Sequence, residues 1–191
     1  MWKLQPQQDT VENWAYIEQA FTKEQCQEII RLGELLLPTT AHTAGNVNPC
    51  LEIRDSKVSW MHPNNETAPI FQKLTEYVIY LNNKFFNFDI DGFSEGLQFT
   101  KYEPPAGKYE PHLDKIFNGT IRKLSVVVQL SDPADYEGGD LILKLGHEDT
   151  SVPKQQGRLT VFPSYVLHGV QPVTAGTRYS LVAWITGPRF K

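Results

Sequence analysis

The sequence predicts a mostly β protein, a sandwich or barrel of jelly-roll character, with two buttressing helices in the N-terminal half. Three observations predict it. From Gly92 onward, short β-rich runs recur about every eight to twelve residues and are separated by Gly, Pro and Asp, the cadence of an antiparallel sandwich or barrel. The last run, RYSLVAWI from Arg178, is almost continuously apolar, as a strand buried on both faces would be. Ahead of Gly92, two segments carry apolar residues at helical rather than alternating spacing.

In chain order, Trp14–Phe21 (WAYIEQAF) reads as a short strand. Thr22 then offers a side-chain oxygen to the first turn of a helix, with Glu24 and Gln25 in that turn and CQEIIRLGELLL following. Pro38 ends this helix, and 39–49 (TTAHTAGNVNP) is rich in small, turn-forming residues and reads as a mobile loop. Leu51–Trp60 (LEIRDSKVSW) partly alternates and reads as one strand, broken by Pro63-Asn64-Asn65. Over Thr67–Phe86, Ile70, Phe71, Leu74, Val78, Ile79, Leu81 and Phe85 form a broad apolar face, which predicts the second helix. The β runs are LQFTKY, YEPHLD, KLSVVVQL, DLILKL, RLTVFP, GVQPV and RYSLVAWI, with Gly138-Gly139 marking a turn. The expected organisation is one domain over 1–191, with an N-terminal extension of about 1–91 and a β core of about 92–187.

A chain of 191 residues should bury roughly 70% of its unfolded surface, so its core needs no disulfide or metal staple. The net charge is -4 with a pI near 5.7, and no long basic run occurs, which argues against nucleic-acid binding. No apolar stretch approaches the ~18 residues of a membrane span. The start lacks the features of a signal peptide, and Cys26 and Cys50 form no CxxC pair, so a reducing cytoplasm is the expected compartment. On that reading the sequons at Asn65 and Asn118 stay unused.

Five histidines occur: His42, His62, His112, His147 and His168. Asp114 follows His112 by two residues, and positions i and i+2 of a strand share a face, so an imidazole and a carboxylate point together. With His168 from a later strand, this gives two His and one carboxylate. Such a set leaves open positions on a non-haem iron. Arg178 opens the buried strand, and a guanidinium inside a barrel needs an anionic partner whose carboxylate fits its fork. Tyr102, ten residues before His112, places a phenol donor nearby. His147, in LGHEDT, reads as a solvated loop histidine, His42 and His62 carry no metal role, and Trp184 reads as core.

The stretches YEPPAGKYEPHLD, LSDPADYEGGDLIL and FPSYVLHGVQPVTAGTRYSLVAWITG together resemble the Fe(II)/2-oxoglutarate dioxygenases. The similarity is closest to the prolyl 4-hydroxylase-like branch, with its PKHD-type and hypoxia-type prolyl hydroxylases. The resemblance covers roughly residues 50–187. It implies a double-stranded β-helix in which His112, Asp114 and His168 bind iron and Arg178 holds the distal carboxylate of 2-oxoglutarate. It places Tyr102 near that co-substrate and Gln129 where the hypoxia-type enzymes carry a second contact, a tyrosine. It also implies that the strand IRDSKVSW edges a substrate cleft, with Arg54, Lys57 and Trp60 lining the approach. The implied activity consumes O2 and 2-oxoglutarate, releases succinate and CO2, and hydroxylates a prolyl residue of a peptide or protein, with ascorbate as an accessory reductant. Two rival readings are a hydroxylase of a free amino acid or other small molecule, and a non-catalytic metal-binding jelly roll.

Overall fold

A computed structural model describes residues 12–41, 50–105, 107–114 and 120–190. His42, most of the 39–49 loop and the Asn118 sequon lie outside the described residues. The chain begins with β1 (Ala15–Ile17), α1 (Lys23–Leu35), β2 (Thr39–Thr40), β3 (Arg54–Asp55), β4 (Lys57–Met61) and α2 (Ala68–Leu81). The strands β5 (Gly92–Phe93), β6 (Leu97–Tyr102), β7 (Gly107–His112), β8 (Ile121–Gln129), β9 (Tyr136–Gly138) and β10 (Leu141–Lys144) follow. The remainder is β11 (Asp149–Ser151), β12 (Leu159–Pro163), β13 (Leu167–Gly176) and β14 (Arg178–Gly187).

The local signals for both helices hold. Thr22 caps α1 in a capping box: the Gln25 N–H donates to the Thr22 hydroxyl at 3.2 Å, and the Thr22 N–H donates to the Gln25 side chain at 3.0 Å. Helix α2 runs into a π-helical turn, Asn82–Phe86, and ends at Asn87, a left-handed residue with φ of 50°. The first strand is shorter than predicted, because Ile17 is followed by turns that deliver Phe21 to the core.

Two antiparallel sheets face each other. One has the order β1-β12-β8-β14-β6-β4-β2, with β5 also paired to β14; the other has β11-β10-β13-β7-β3, with β9 paired to β13. The predicted strand Leu51–Trp60 is two strands. β3 pairs with β7 in the second sheet, whereas β4 pairs with β6 in the first, and Ser56 is the crossing point. Part of the predicted 39–49 loop is also strand, since Thr39 and Thr40 extend the first sheet by pairing with β4.

Alternation along the central strands divides the core. On β14, Leu181, Ala183 and Ile185 join β6 residues Leu97 and Phe99 against the helices, with Ile29, Leu74 and Leu81 among the facing side chains. The opposite set, Arg178, Ser180, Val182 and Trp184, faces the space between the sheets. Hence the apolar continuity of RYSLVAWI: both of its faces are covered.

Gly33 on α1 shows how closely helix and sheet approach. A Cβ there would meet Phe99 ring carbons at 2.4 Å, while the Gly33 carbonyl accepts the Ser59 hydroxyl at 2.9 Å. Alanine is the better helix former by about 1 kcal/mol, but overpacking a closed core costs about 1–3 kcal/mol. Gly33→Ala is therefore expected to lower the thermal midpoint by up to roughly 8 °C. Adding Phe99→Leu should recover part of that loss, whereas a midpoint above the parent's would show that the contact yields freely.

Candidate metal and co-substrate site

The site forms at the open end of the space between the sheets. His112 ends β7 and His168 is the second residue of β13, and the register of these neighbouring strands makes the two residues direct partners. Asp114 lies two residues beyond the end of β7, not within the strand as alternation suggested. Its position is fixed instead by the backbone, where its N–H donates to the Ser164 carbonyl at 3.1 Å. One candidate ligand atom from each of the three side chains falls within 4.8 Å of the other two.

Each histidine is oriented from behind. His112 Nδ1 lies 2.9 Å from the Glu110 carbonyl, and His168 Nδ1 lies 2.9 Å from the Val166 carbonyl. A carbonyl oxygen only accepts, so each Nδ1 carries a proton and Nε2 is the atom left to face the site. Both Nε2 atoms face one carboxylate: His112 Nε2 is 3.5 Å from Asp114 Oδ1, and His168 Nε2 is 3.3 Å from Asp114 Oδ2. A carboxylate facing two imidazole nitrogens needs a cation among them, either a proton or a metal. Burial alone would push the Asp114 carboxyl up, but the facing imidazoles outweigh it and hold the group well below the usual carboxylate range. Burial would likewise depress His168, yet the Asp114 charge and hydrogen bond, with the Val166 carbonyl, leave it raised. The donor set and its outer hydrogen bonds fit a divalent iron with open positions.

Ser125 on β8 was not flagged by sequence. Its hydroxyl donates to Asp114 Oδ2 at 2.7 Å and lies 3.0 Å from the Ser164 hydroxyl, so it steadies the carboxylate. Tyr109 also went unseen, although it stacks on His112 with ring centroids 3.5 Å apart and planes 19° from parallel. The signal was its position three residues before His112, which reads as ordinary strand content.

A cavity of about 240 Å³ opens from the triad, with Arg178 and Tyr102 among its lining residues. Arg178 pairs in register with Tyr102, and its guanidinium carbon sits 5.4 Å from that ring. The residue is only 2% exposed, and its Nη1 is buried without a hydrogen-bond partner. Among the described residues no carboxylate neutralises it. A buried, unpaired guanidinium carries a large desolvation cost, so this cavity is built to receive an anion.

Arg54 and Trp60 line the outer part of the cavity, and Lys57 does not. Arg54 is buried, donating to Ser56 Oγ at 2.9 Å and Gln98 Oε1 at 2.8 Å, with its guanidinium 4.6 Å from the Tyr109 ring centre. Lys57 is exposed and paired with Glu103 at 2.8 Å. Trp184, expected as core, is buried but forms a cavity wall, because its alternation register on β14 matches that of Arg178. Arg122 lies 3.7 Å over its ring and is clamped through two nitrogens by Glu95, at 2.8 and 2.7 Å. Gln129 lies outside this cavity, with its amide donating to the Tyr136 hydroxyl at 3.0 Å and the Ser131 carbonyl at 3.2 Å. His147 and His62 are exposed and do not belong to the triad's ligand group.

A family model described as the 2OG-Fe(II) oxygenase superfamily matches residues 97–186, the segment that contains the triad, Tyr102 and Arg178. Over those residues the chain is similar to the 2OG-Fe(II) oxygenases. Iron(II), 2-oxoglutarate and O2 are the cofactor and co-substrates that such a similarity implies, and the His-Asp-His group fits the metal. A PKHD-type hydroxylase of Prochlorococcus marinus is 38% identical over 100 residues, covering 52% of this chain and 45% of that protein. A second PKHD-type hydroxylase of Prochlorococcus marinus is 29% identical over 126 residues, covering 65% of this chain and 57% of the relative. The chain spans about half the length of the curated relatives it matches. Among solved structures, a Pseudomonas putida prolyl-4-hydroxylase superposes with a TM-score of 0.73 at 22% identity, covering 93% of this chain and 94% of that one. A Trichoplax adhaerens prolyl hydroxylase, solved with a hypoxia inducible factor peptide fragment, gives 0.76 at 20% identity, covering 92% and 84%. These likenesses show the fold, a jelly roll. No helix among the described residues is long and apolar enough to cross a membrane.

Proposed function

We propose that the chain is an Fe(II)- and 2-oxoglutarate-dependent hydroxylase acting on a prolyl residue of a peptide or protein. One observation carries the reading: a convergent His112, Asp114 and His168 set shares a cavity with a buried guanidinium, Arg178, that has no counter-ion among the described residues. In this reading His112, Asp114 and His168 hold the iron. Arg178 takes the distal carboxylate of 2-oxoglutarate, and Tyr102 lines the same pocket. Bound iron and 2-oxoglutarate supply O2 activation for insertion of oxygen into a C–H bond, with succinate and CO2 as co-products. The protein orients these groups, excludes water from the inner cavity and positions the target carbon.

Support for a prolyl substrate comes from the outer cavity and from the structural neighbours named as prolyl hydroxylases. Trp60 is 38% exposed and packs 6.1 Å from Trp184, and Tyr109 lies across the cavity's lining, so aromatic faces flank the entrance. A proline ring with φ fixed near −65° meets such faces partly preorganised. Arg54 adds a donor for a peptide carbonyl.

The test is 2-oxoglutarate turnover with iron and ascorbate across a library of proline peptides, read as succinate release and as the gain of one oxygen by mass spectrometry. A proline peptide is expected to stimulate turnover and gain the oxygen on its ring, with free proline much weaker. Trp60→Ala should depress peptide hydroxylation more than turnover without peptide. Strong stimulation by a free amino acid or small acid, with no peptide oxidised, would move the substrate to the small-molecule class.

A further inference from the structure

Behind Arg178 lies a second, small cavity that the main site does not use. It shares Val127, Leu141 and Arg178 with the main cavity and is otherwise lined by residues that include Gln129, Tyr136 and Gly139. Its volume is about 10 Å³, room for about one water-sized group. Tyr136, on β9, is buried at 5% exposure, and its hydroxyl accepts the Gln129 amide at 3.0 Å. A phenol that accepts one hydrogen bond still has its own proton to donate, and among the described residues nothing accepts it. Arg178 lines the same cavity, and its Nη1 is buried without an acceptor among the described residues. Two buried donor residues from different strands therefore border a space of about one water-sized group.

The backbone is shaped to bring them together. Gly139 has φ of +63°, and a Cβ there would meet Arg178 Cδ at 2.9 Å and Tyr136 Cε2 at 3.3 Å. Glycine thus lets both side chains lie against one turn. Burial raises the Tyr136 phenol above its ordinary value, more than the neighbouring guanidinium lowers it, so it stays protonated at neutral pH.

We infer that Tyr136 is the second donor to the distal carboxylate of 2-oxoglutarate, with Gln129 as the positioning residue that holds its hydroxyl. One carboxylate oxygen then occupies the small cavity between Tyr136 and Arg178. This assigns the direct contact to β9 and gives Gln129, on β8, an indirect part. The inference rests on the reading of Arg178 as the co-substrate clamp.

The test is calorimetric titration of Mn(II)-loaded protein, without turnover, using 2-oxoglutarate and 2-oxopentanoate, in which a methyl group replaces the distal carboxylate. Tyr136→Phe is expected to weaken 2-oxoglutarate binding roughly ten-fold or more, the loss of one hydrogen bond to a charged group. Binding of 2-oxopentanoate should stay at the parent's level, an outcome that a general packing defect would not give. Gln129→Leu should weaken 2-oxoglutarate binding in the same direction but less, because Tyr136 keeps its hydroxyl. If Arg178→Ala loses 2-oxoglutarate while Tyr136→Phe and Gln129→Leu both match the parent, this assignment fails alone. If Arg178→Ala also matches the parent, the co-substrate reading fails with it. Equal weakening of both ligands by Tyr136→Phe would reduce Tyr136 to a packing role and overturn the inference.

Discussion

His168→Ala is expected to abolish iron-dependent turnover of 2-oxoglutarate and to weaken divalent-metal binding by at least about 100-fold. Changes to residues that merely orient a ligand typically cost about 10–100-fold in metal affinity, and here a proposed ligand itself is removed. The vacated space sits beside Asp114, whose carboxylate would keep Ser125 and His112 as partners. The fold should survive, because the large core between the helices and the first sheet includes none of the three ligands. Circular dichroism and the thermal midpoint of metal-free protein check this directly. His168→Gln, closer in volume, guards against a local packing failure. His147→Ala, on an exposed loop, should bind metal like the parent. Retained iron-dependent turnover in both His168 variants would remove His168 from the metal site.

What could be read from the sequence was what local pattern encodes. The capping box at Thr22 and Gln25 is a contact between neighbours, so its signature predicted the start of α1. The continuous apolar run after Arg178 reported that β14 is covered on both faces, and that placed a guanidinium indoors. The histidines and Asp114 were legible because few chemistries need that donor set beside a buried cation. Other features depend on which strands become neighbours. The segment LEIRDSKVSW alternates equally well whether it stays in one sheet or crosses at Ser56, and only the separate pairings with β7 and β6 settle it. That crossing buries Arg54 in the cavity and leaves Lys57 on the surface beside Glu103. Ser125 meets Asp114 from another strand, and the Glu95–Arg122 pair spans 27 residues, so neither carries a local signal. Trp184 was read as core from its type, yet its register with Arg178 turns it toward the cavity.

Arg178→Ala should weaken 2-oxoglutarate binding roughly thirty-fold or more while leaving metal affinity nearly unchanged. Removing one partner of a desolvated, charge-assisted pair typically costs about 2–5 kcal/mol, and about 2 kcal/mol corresponds to roughly thirty-fold. The separation from metal binding follows from the site's layout: Arg178 begins β14 and pairs with Tyr102, while the three ligands gather around the ends of β7 and β13. Unliganded Arg178 is buried with an unpartnered Nη1, so alanine also relieves a desolvated charge in the free protein. The variant should therefore be no less stable than the parent without co-substrate, while gaining much less thermal stability when 2-oxoglutarate is added. Arg178→Lys should recover only part of the affinity. An ammonium restores the charge but is a compact point donor that lacks the planar fork a carboxylate fits. Titration of Mn(II)-loaded parent and variants with 2-oxoglutarate, paired with metal titration of the same proteins, reads both quantities. Parent-like 2-oxoglutarate affinity in both variants would place the anion clamp elsewhere. A matching collapse of metal affinity would show that Arg178 supports the triad rather than the co-substrate.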